Sequence, residues 1–392
     1  MGKNFPFSGL VVFLILNAAT AGAKGLGVNI SLPERGGSFV DMAKEHHRWL
    51  NPSDWSALGE EYFDERGWPI TDALFLMDMR PVAEWAGEID DPEIYRIDYS
   101  GTYKCSFTGN ANVQSSGTGT VAEVIYHPDE NRTTFDFVVD EPEEDNYGFF
   151  AIVFRNTELE PGGDSGIADL KIIRPGYEED TEQTFLDEFI YALTNPQFAA
   201  LRFKDFLGTD GADPVYPGVF EWTDRKLVTD AAQVHIPEIG KNTGAAWEYV
   251  VELANEVEID PWINIPVSAT TEYVTEVAKM FKRDLNPDLN VYVESSNEVW
   301  NTAPGYEQTQ YNKAQAEALG IGERENHARR TVELAQIFES VYGEGSLNDK
   351  IRVVLCSHAP MLKWWVQGML DYIAENFGDV NRYIFAIGRQ TF

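Results

Sequence analysis

The segment that reads NVYVESSNEVWN combines a carboxylic acid, amides and an indole within a few residues. Its first residues alternate Val and Tyr with polar residues, a pattern that predicts a short strand over Val291–Ser295. Asn297 and Glu298 follow the end of that strand, and Trp300 and Asn301 come next. A glutamic acid can protonate a glycosidic oxygen, an amide can hydrogen-bond a sugar hydroxyl, and an indole can stack on a pyranose face. The spacing therefore indicates carbohydrate chemistry at the C-terminal end of a strand.

The tripeptide Asn-Glu-Val occurs a second time, at residues 255–257. Apolar residues around this copy recur at helical spacing: Trp247, Val250, Val251 and Ala254. That period predicts a helix with Asn255 and Glu256 as an ordinary solvated pair on its outer side. Only the copy at 297–299 has a strand before it and an indole after it, so only this copy is a candidate site.

Asn297 and Glu298 after a strand resemble the strand-4 end of the retaining (β/α)8 glycoside hydrolases, in which Asn precedes the acid/base Glu. The resemblance implies Glu298 as general acid/base and Asn297 as a contact to the sugar 2-hydroxyl. It also implies that Arg202, at the end of the second predicted strand, lies behind the nucleophile and keeps it ionised. The alternative for Arg202 is a structural salt bridge with Asp205 or Asp210.

Further candidate substrate contacts come from the same set of strand ends and loops. Trp300 and Trp222 are candidate sugar platforms, with a rim-covering role as the alternative for Trp222. Asn301 lies beside the acid. Asn264 is polar inside an apolar strand, so it either points into a barrel mouth or finds a buried partner. His358 ends the fifth predicted strand and either contacts substrate or is a capped rim histidine.

The chain falls into three zones after its first residues. Residues 24–96 contain a first barrel strand, Gly25–Ile30, and a long irregular segment. Residues 97–175 contain five short strand-like runs separated by turn residues, which predicts a small antiparallel β-sandwich. Residues 176–392 alternate strands and helices, which predicts a parallel sheet covered by helices. The predicted runs of the sandwich are 101–109, 118–127, 132–139, 148–156 and 167–174.

The expected fold is a (β/α)8-type barrel, incomplete because six strands are found where eight are needed, with the sandwich inserted between the first and second. The chain ends directly after its sixth predicted strand, Arg382–Ile387, which suggests a truncated chain. In the resembled families the nucleophile follows strand 7. The resemblance therefore implies an O-glycosyl hydrolase whose nucleophile is not in this chain.

The N-terminus and the net charge limit where the protein acts and what it binds. Residues 1–23 have a lysine, an apolar core and small-residue cleavage sites, which is typical of a signal peptide and predicts a secreted or periplasmic protein. The formal net charge is −34 over 392 residues. Such a surface repels nucleic-acid phosphates and anionic membranes, so we expect neither as a partner.

The sequence predicts neither a cofactor nor a metal motif. Cys105 and Cys356 lie in apolar strand-like runs, which favours two buried thiols over a disulfide framework. The six histidines have no metal-ligand spacing. The acidic run Asp140–Asp145 could bind calcium, and a plain solvated turn is the alternative.

Three functions remain after these exclusions. The leading hypothesis is a secreted glycoside hydrolase, or a fragment of one, that cleaves a polysaccharide or oligosaccharide with Glu298 as general acid/base. The second is a non-catalytic carbohydrate-binding protein that uses the same cleft and the sandwich. The third is an extracellular scaffold whose acidic surface binds calcium, which a repeated Asp/Asn-rich loop would support; the sequence contains none.

Overall fold

The computed structural model of the chain describes residues 25–31, 33, 37–45, 47–78, 99–140, 149–196, 198–209, 219–234, 244–358 and 362–390. These residues divide into two compact units. The first contains the described residues of 33–189 together with 229–234. The second contains the described residues of 25–31, 190–228 and 244–390.

In chain order the strands are β1 (Gly27–Asn29), β2 (Arg48–Leu50), β3 (Ala73–Asp78), β4 (Gly101–Thr108), β5 (Asn110–Ser115), β6 (Thr120–His127), β7 (Arg132–Val139), β8 (Phe149–Glu158), β9 (Ala168–Ile173), β10 (Ala200–Arg202), β11 (Asp260–Ile265), β12 (Val291–Ser295), β13 (Ile351–His358) and β14 (Ala386–Gln390). The α-helices are α1 (Asp187–Thr194), α2 (Trp247–Val257), α3 (Thr271–Asp284), α4 (Glu307–Leu319), α5 (Glu323–Tyr342), α6 (Gln367–Phe377) and α7 (Val380–Tyr383). A π-helical turn, Leu362–Val366, leads directly into α6.

The first unit is an antiparallel β-sandwich of two four-stranded sheets. One sheet has the order β2-β3-β8-β5 and the other β6-β7-β4-β9. Every second side chain of β7 is buried, Phe135 and Phe137 among them. These rings contact Phe154 and Phe150 of β8, so the aromatic residues of the two sheets share one core.

The sandwich takes more of the chain than the five predicted runs. β5 adds a strand within 97–175, while β2 and β3 lie in the stretch that the sequence pattern suggested to be irregular. The sequence pattern did not predict β3, because this strand is buried on both faces and its residues therefore do not alternate between apolar and polar. Phe75 and Met77 belong to the main core, and Leu74 and Leu76 join a second apolar cluster.

The second unit contains a six-stranded parallel sheet in the order β1-β10-β11-β12-β13-β14. Alternate positions such as Leu201, Ile263 and Val293 are apolar and fully buried. Many of the positions between them carry polar or aromatic side chains, including Arg202 and Glu294. Helix α2 contacts β11, and α5 contacts β12 and β13. The described residues therefore form a mixed α/β protein with one parallel and two antiparallel sheets.

Some expected bounds in this unit differ from the structure. The sequence pattern predicts a strand over Ala200–Phe206 and a loose helix over Lys226–Glu238. Strand β10 instead ends at Arg202, and residues 226–234 form turns and bends. The last strand starts at Ala386 because α7 precedes it, capped by the Asp379 side chain. None of the described helices combines the length and apolarity that a bilayer crossing requires. The predicted signal peptide lies outside the described residues.

Candidate functional site

The candidate acid lies on an unusual turn directly after β12. Ser296 and Glu298 both adopt left-handed backbone conformations, with φ of 57° and 46°. Such φ values are uncommon for residues other than glycine. The Ser296 N–H donates to the Ile265 carbonyl at 2.7 Å, and its carbonyl accepts from the Asn264 amide at 2.7 Å. The turn is therefore fixed to the end of the neighbouring strand β11.

Glu298 is held by residues that follow it in the chain. The Asn301 side-chain amide donates to Glu298 Oε2 at 2.8 Å. The Thr309 hydroxyl donates to the Glu298 carbonyl at 3.3 Å, and the Gln308 amide donates to the Asn297 carbonyl at 2.9 Å. Glu298 is 7% exposed. The first turn of α4 thus anchors the backbone of the site, and Asn301 orients the carboxyl group.

Arg202 is paired with Glu294, a residue that the sequence analysis did not single out. The guanidinium donates from Nε to Oε2 at 3.0 Å and from Nη2 to Oε1 at 2.8 Å. Asp205, one of the two suggested partners of Arg202, accepts a hydrogen bond from Lys204 Nζ at 2.6 Å. Asp210 lies outside the described residues. Glu294 is a charged residue within an otherwise apolar and aromatic strand, and this signal could have identified it.

Trp262 and Asn297 complete this buried network. The Trp262 indole N–H donates to Glu294 Oε2 at 2.8 Å, and its ring lies 5.4 Å from Arg202 Cζ. Arg202 Nη2 also donates to Asn297 Oδ1 at 3.1 Å. Burial acts to lower the pKa of Arg202, but the charge and hydrogen bonds of Glu294, together with nearby charges such as that of Asp205, raise that pKa above its usual value. Because guanidinium only donates, the carbonyl end of the Asn297 amide faces Arg202.

Asn264 has a buried partner, one of the two alternatives for it. It is fully buried, and its amide donates to the Ser296 carbonyl. Its side-chain oxygen has no hydrogen-bond partner among the described residues. Asn264 therefore supports the turn that carries Glu298.

Of the two candidate sugar platforms, Trp300 is buried and Trp222 is partly covered. Trp300 is only 7% exposed and contacts the His327 ring at a centroid distance of 6.3 Å. Trp222 is half-buried, with Arg225 Cζ 4.0 Å from its ring centroid and Tyr273 at 5.5 Å. Trp300 is a core residue here, and Arg225 occupies one face of Trp222.

Two titratable side chains with altered pKa values lie near the Glu294 pair. His327 is buried, which lowers its pKa to about 4 and keeps the ring neutral at neutral pH. Burial, with the negative charge of Glu294, raises the pKa of the Cys356 thiol well above its usual range. His358, the histidine chosen from sequence, is the half-buried last residue of β13. His327 lies on helix α5, whereas the predicted site residues were taken from strand ends and loops, so the sequence pattern did not identify it.

The second Asn-Glu-Val copy has a structural role on helix α2. Glu256 is exposed, as the helical period predicts. Asn255 is half-buried and bonds across to the end of α3, where it donates to the Asp284 carbonyl at 2.9 Å and accepts from the Asn286 N–H at 2.7 Å. The same tripeptide thus connects helix α2 to the end of α3 at one place and forms part of the turn after β12 at the other.

No group of three or more His, Cys, Asp or Glu side chains among the described residues could hold a metal ion. Of the acidic run Asp140–Asp145, only Asp140 is described, so the calcium alternative lies outside the described residues. Cys105 and Cys356 are free and buried, which confirms the prediction of two buried thiols.

No protein-family model matches this chain, and no curated protein matches it. One similar solved structure is the CBM22-1–GH10 part of an endo-1,4-beta-D-xylanase 10B from Clostridium thermocellum in complex with xylohexaose. The identity is 10%, the TM-score is 0.34, and the match covers 91% of this chain and 76% of that one. Another is a family two carbohydrate esterase from Clostridium thermocellum in complex with cellohexaose, with 8% identity, a TM-score of 0.24, and 85% and 88% of the two chains covered. Likenesses at this level carry no argument about the fold or function of this chain.

Proposed function

We propose that this protein is an exported carbohydrate-active protein of the glycoside hydrolase type, in which Glu298 is the general acid/base. The substrate class is a polysaccharide or oligosaccharide. Asn297 contacts a sugar hydroxyl near the cleaved bond. Export follows from the signal-like residues 1–23.

The observation that carries the proposal is the left-handed turn at Ser296 and Glu298. Backbone strain of this kind costs on the order of 1–3 kcal/mol for each residue and concentrates at functional sites. Here it places a carboxylic acid directly after a parallel strand, where β/α proteins locate their active sites. Of the two glutamates on this segment, the Glu294 carboxylate is paired with the Arg202 guanidinium, whereas the Glu298 carboxyl group accepts from the neutral Asn301 amide.

We also propose that the six-stranded sheet is part of a (β/α)8-type barrel. Its strands are all parallel and follow one another in chain order, as barrel strands do. One set of alternate positions is apolar, and the other holds polar and aromatic side chains that bond to one another across strands. Such an inner face fits the layered interior of a barrel.

The test uses the duplicated tripeptide as its own control. Glu298→Gln removes the transferable proton with little change in shape, and Glu256→Gln makes the same change at the helical copy. In a protein that carries both Glu298 and its nucleophile, we expect Glu298→Gln to lower the release of reducing ends from unactivated polysaccharide by about 100-fold or more, with binding intact. Glu256→Gln should match the parent protein. Hydrolysis that persists unchanged in Glu298→Gln would refute the assignment.

A second candidate, non-catalytic carbohydrate binding, is favoured by a cleft in the sandwich unit. The cleft has a volume of about 350 Å³ and a largely polar lining. Arg132 donates to the Ser106 hydroxyl at 2.7 Å and to Glu179 at 2.8 Å, so the polar groups are already oriented. Binding with no turnover, lost in Arg132→Ala and kept in Glu298→Gln, would favour this candidate over the hydrolase.

A further inference from the structure

Trp364 is the most exposed large apolar side chain among the described residues, at 65% of its surface. It lies beyond the C-terminal end of β13, in the π-helical turn Leu362–Val366 that leads into α6. A π-helical turn is rare and occurs frequently at functional sites. Its neighbour Trp365 is buried and contacts the Trp364 ring at 5.6 Å and 61°. One indole thus anchors the turn while the other is presented to solvent.

Arg324, near the start of α5, fixes the position of the exposed ring. Its Nη1 donates to the Trp364 carbonyl at 3.0 Å, and its Cζ lies 5.4 Å from the Trp364 ring centroid. The guanidinium is held in turn by Glu325, which accepts from Nε at 2.9 Å. An arginine fixed in this way limits the orientations that the indole can adopt.

Gly368 makes room for this arginine. A Cβ at residue 368 would lie 2.2 Å from Arg324 Cζ and 2.3 Å from Nη1, so any side chain there would displace the guanidinium. Glycine is the least favourable helix residue after proline. Helix α6 therefore has a glycine, which lowers its stability, at the position where the Arg324 guanidinium lies against it.

A chain of contacts within the second unit connects this arrangement to the candidate acid. Arg324 and His327 occupy the same end of α5, one turn apart. The His327 ring contacts Trp300, which follows Glu298 by two residues. Trp364 and Glu298 both follow C-terminal ends of strands in one parallel sheet, so they belong to the same edge of it.

We propose that Trp364 is an aromatic platform on which a pyranose ring of a bound oligosaccharide stacks. This inference rests on the proposed function and names a contact for its substrate. An exposed flat ring presents an apolar face to the C–H groups of a sugar, and the polar groups around it suit sugar hydroxyls. Arg324, Glu325 and Gln367 are such groups.

The experiment is done in the Glu298→Gln protein, so that ligand is bound and not consumed. An array of immobilised plant, algal and microbial glycans identifies the bound glycan, and calorimetry gives the Kd of its hexasaccharide. We expect Trp364→Ala to raise that Kd about tenfold. Trp364→Phe, which keeps a flat ring, should stay within about threefold of the parent, and Trp364→Leu should behave like Trp364→Ala.

The matched control is Tyr191→Ala, which removes another exposed aromatic ring of the same unit, 57% exposed on α1. It should leave the Kd unchanged, and melting temperatures should show that all variants fold. If the parent binds a glycan and Trp364→Ala binds it equally well, the platform is refuted and the proposed function stands. If Trp364→Leu restores full affinity, stacking is refuted. If the parent binds no glycan on the array, the proposed function falls and the platform with it.

Discussion

Arg202 on β10 forms a two-point ion pair with Glu294 on β12, although β11 lies between the two strands. The intervening strand contributes Trp262, whose indole N–H donates to the same carboxylate. The two side chains are 12% and 1% exposed, so the pair is largely removed from water. Because Arg202 also bonds Asn297, this network joins three strands to the turn that carries Glu298.

Removing one partner of this pair should destabilise the fold strongly. Either Arg202→Met or Glu294→Gln leaves the other residue as an uncompensated buried charge or donor. We expect each single change to lower the free energy of unfolding by about 3–5 kcal/mol, measured by urea denaturation followed by circular dichroism.

The double variant Arg202→Met/Glu294→Leu should recover most of that loss, since well-packed apolar residues can replace a buried ion pair. Arg382→Met, which breaks an exposed pair with Glu339, serves as the control and should have a much smaller effect. Single variants as stable as the parent would show that the pair is not structurally important.

His327 should make stability depend on pH. Burial lowers its pKa to about 4 in the folded protein, against about 6.5 when unfolded. Between these values the unfolded chain binds the proton and the folded one does not, so stability increases with pH. The contribution is fully present above pH 6.5 and is lost as the pH falls towards 4, with a total of about 3 kcal/mol.

Comparison with His327→Gln isolates this contribution, because glutamine does not titrate. Unfolding free energies measured from pH 4 to 7.5 should fall more steeply with acid for the parent than for the variant. Parallel curves would mean that the pKa of His327 is the same in the folded and the unfolded protein.

The two copies of Asn-Glu-Val should respond differently to the same substitution. Asn255→Ala removes two hydrogen bonds at the end of α3 and should cost about 1–2 kcal/mol of stability, with glycan binding unchanged. Asn297→Ala should reduce turnover about tenfold or more. Thermal unfolding and kinetics on the same preparations test both halves, and a loss of turnover in Asn255→Ala would contradict the assignment.

Both thiols should be unreactive in the native protein. Burial raises the pKa of Cys105 and of Cys356 well above the usual range, so each stays protonated at neutral pH. A thiol-specific disulfide reagent should modify neither in buffer and both in denaturant. Rapid native labelling would indicate that one of these regions opens readily.

Local patterns in the sequence predict the regular elements of the second unit well. β12 has the bounds that its alternation predicts, and α4 starts one residue after the start of the predicted helix Tyr306–Leu319. The pairing of Arg202 with Glu294 could not be predicted from local patterns, because the two residues are 92 positions apart in the sequence. Trp300 has the residue type of a sugar platform, but its burial depends on packing against α5, which spacing along the chain does not reveal.

The left-handed backbone at Ser296 and Glu298 limits which mutations at the site can be interpreted. In a saturation library, Val, Ile and Thr should be depleted at both positions because their branched side chains are strained at positive φ. Gly and Asn should be tolerated at 296 for the same geometric reason. A β-branched replacement at 298 would therefore abolish activity whether or not Glu298 transfers a proton, and only near-isosteric replacements can separate chemistry from conformation.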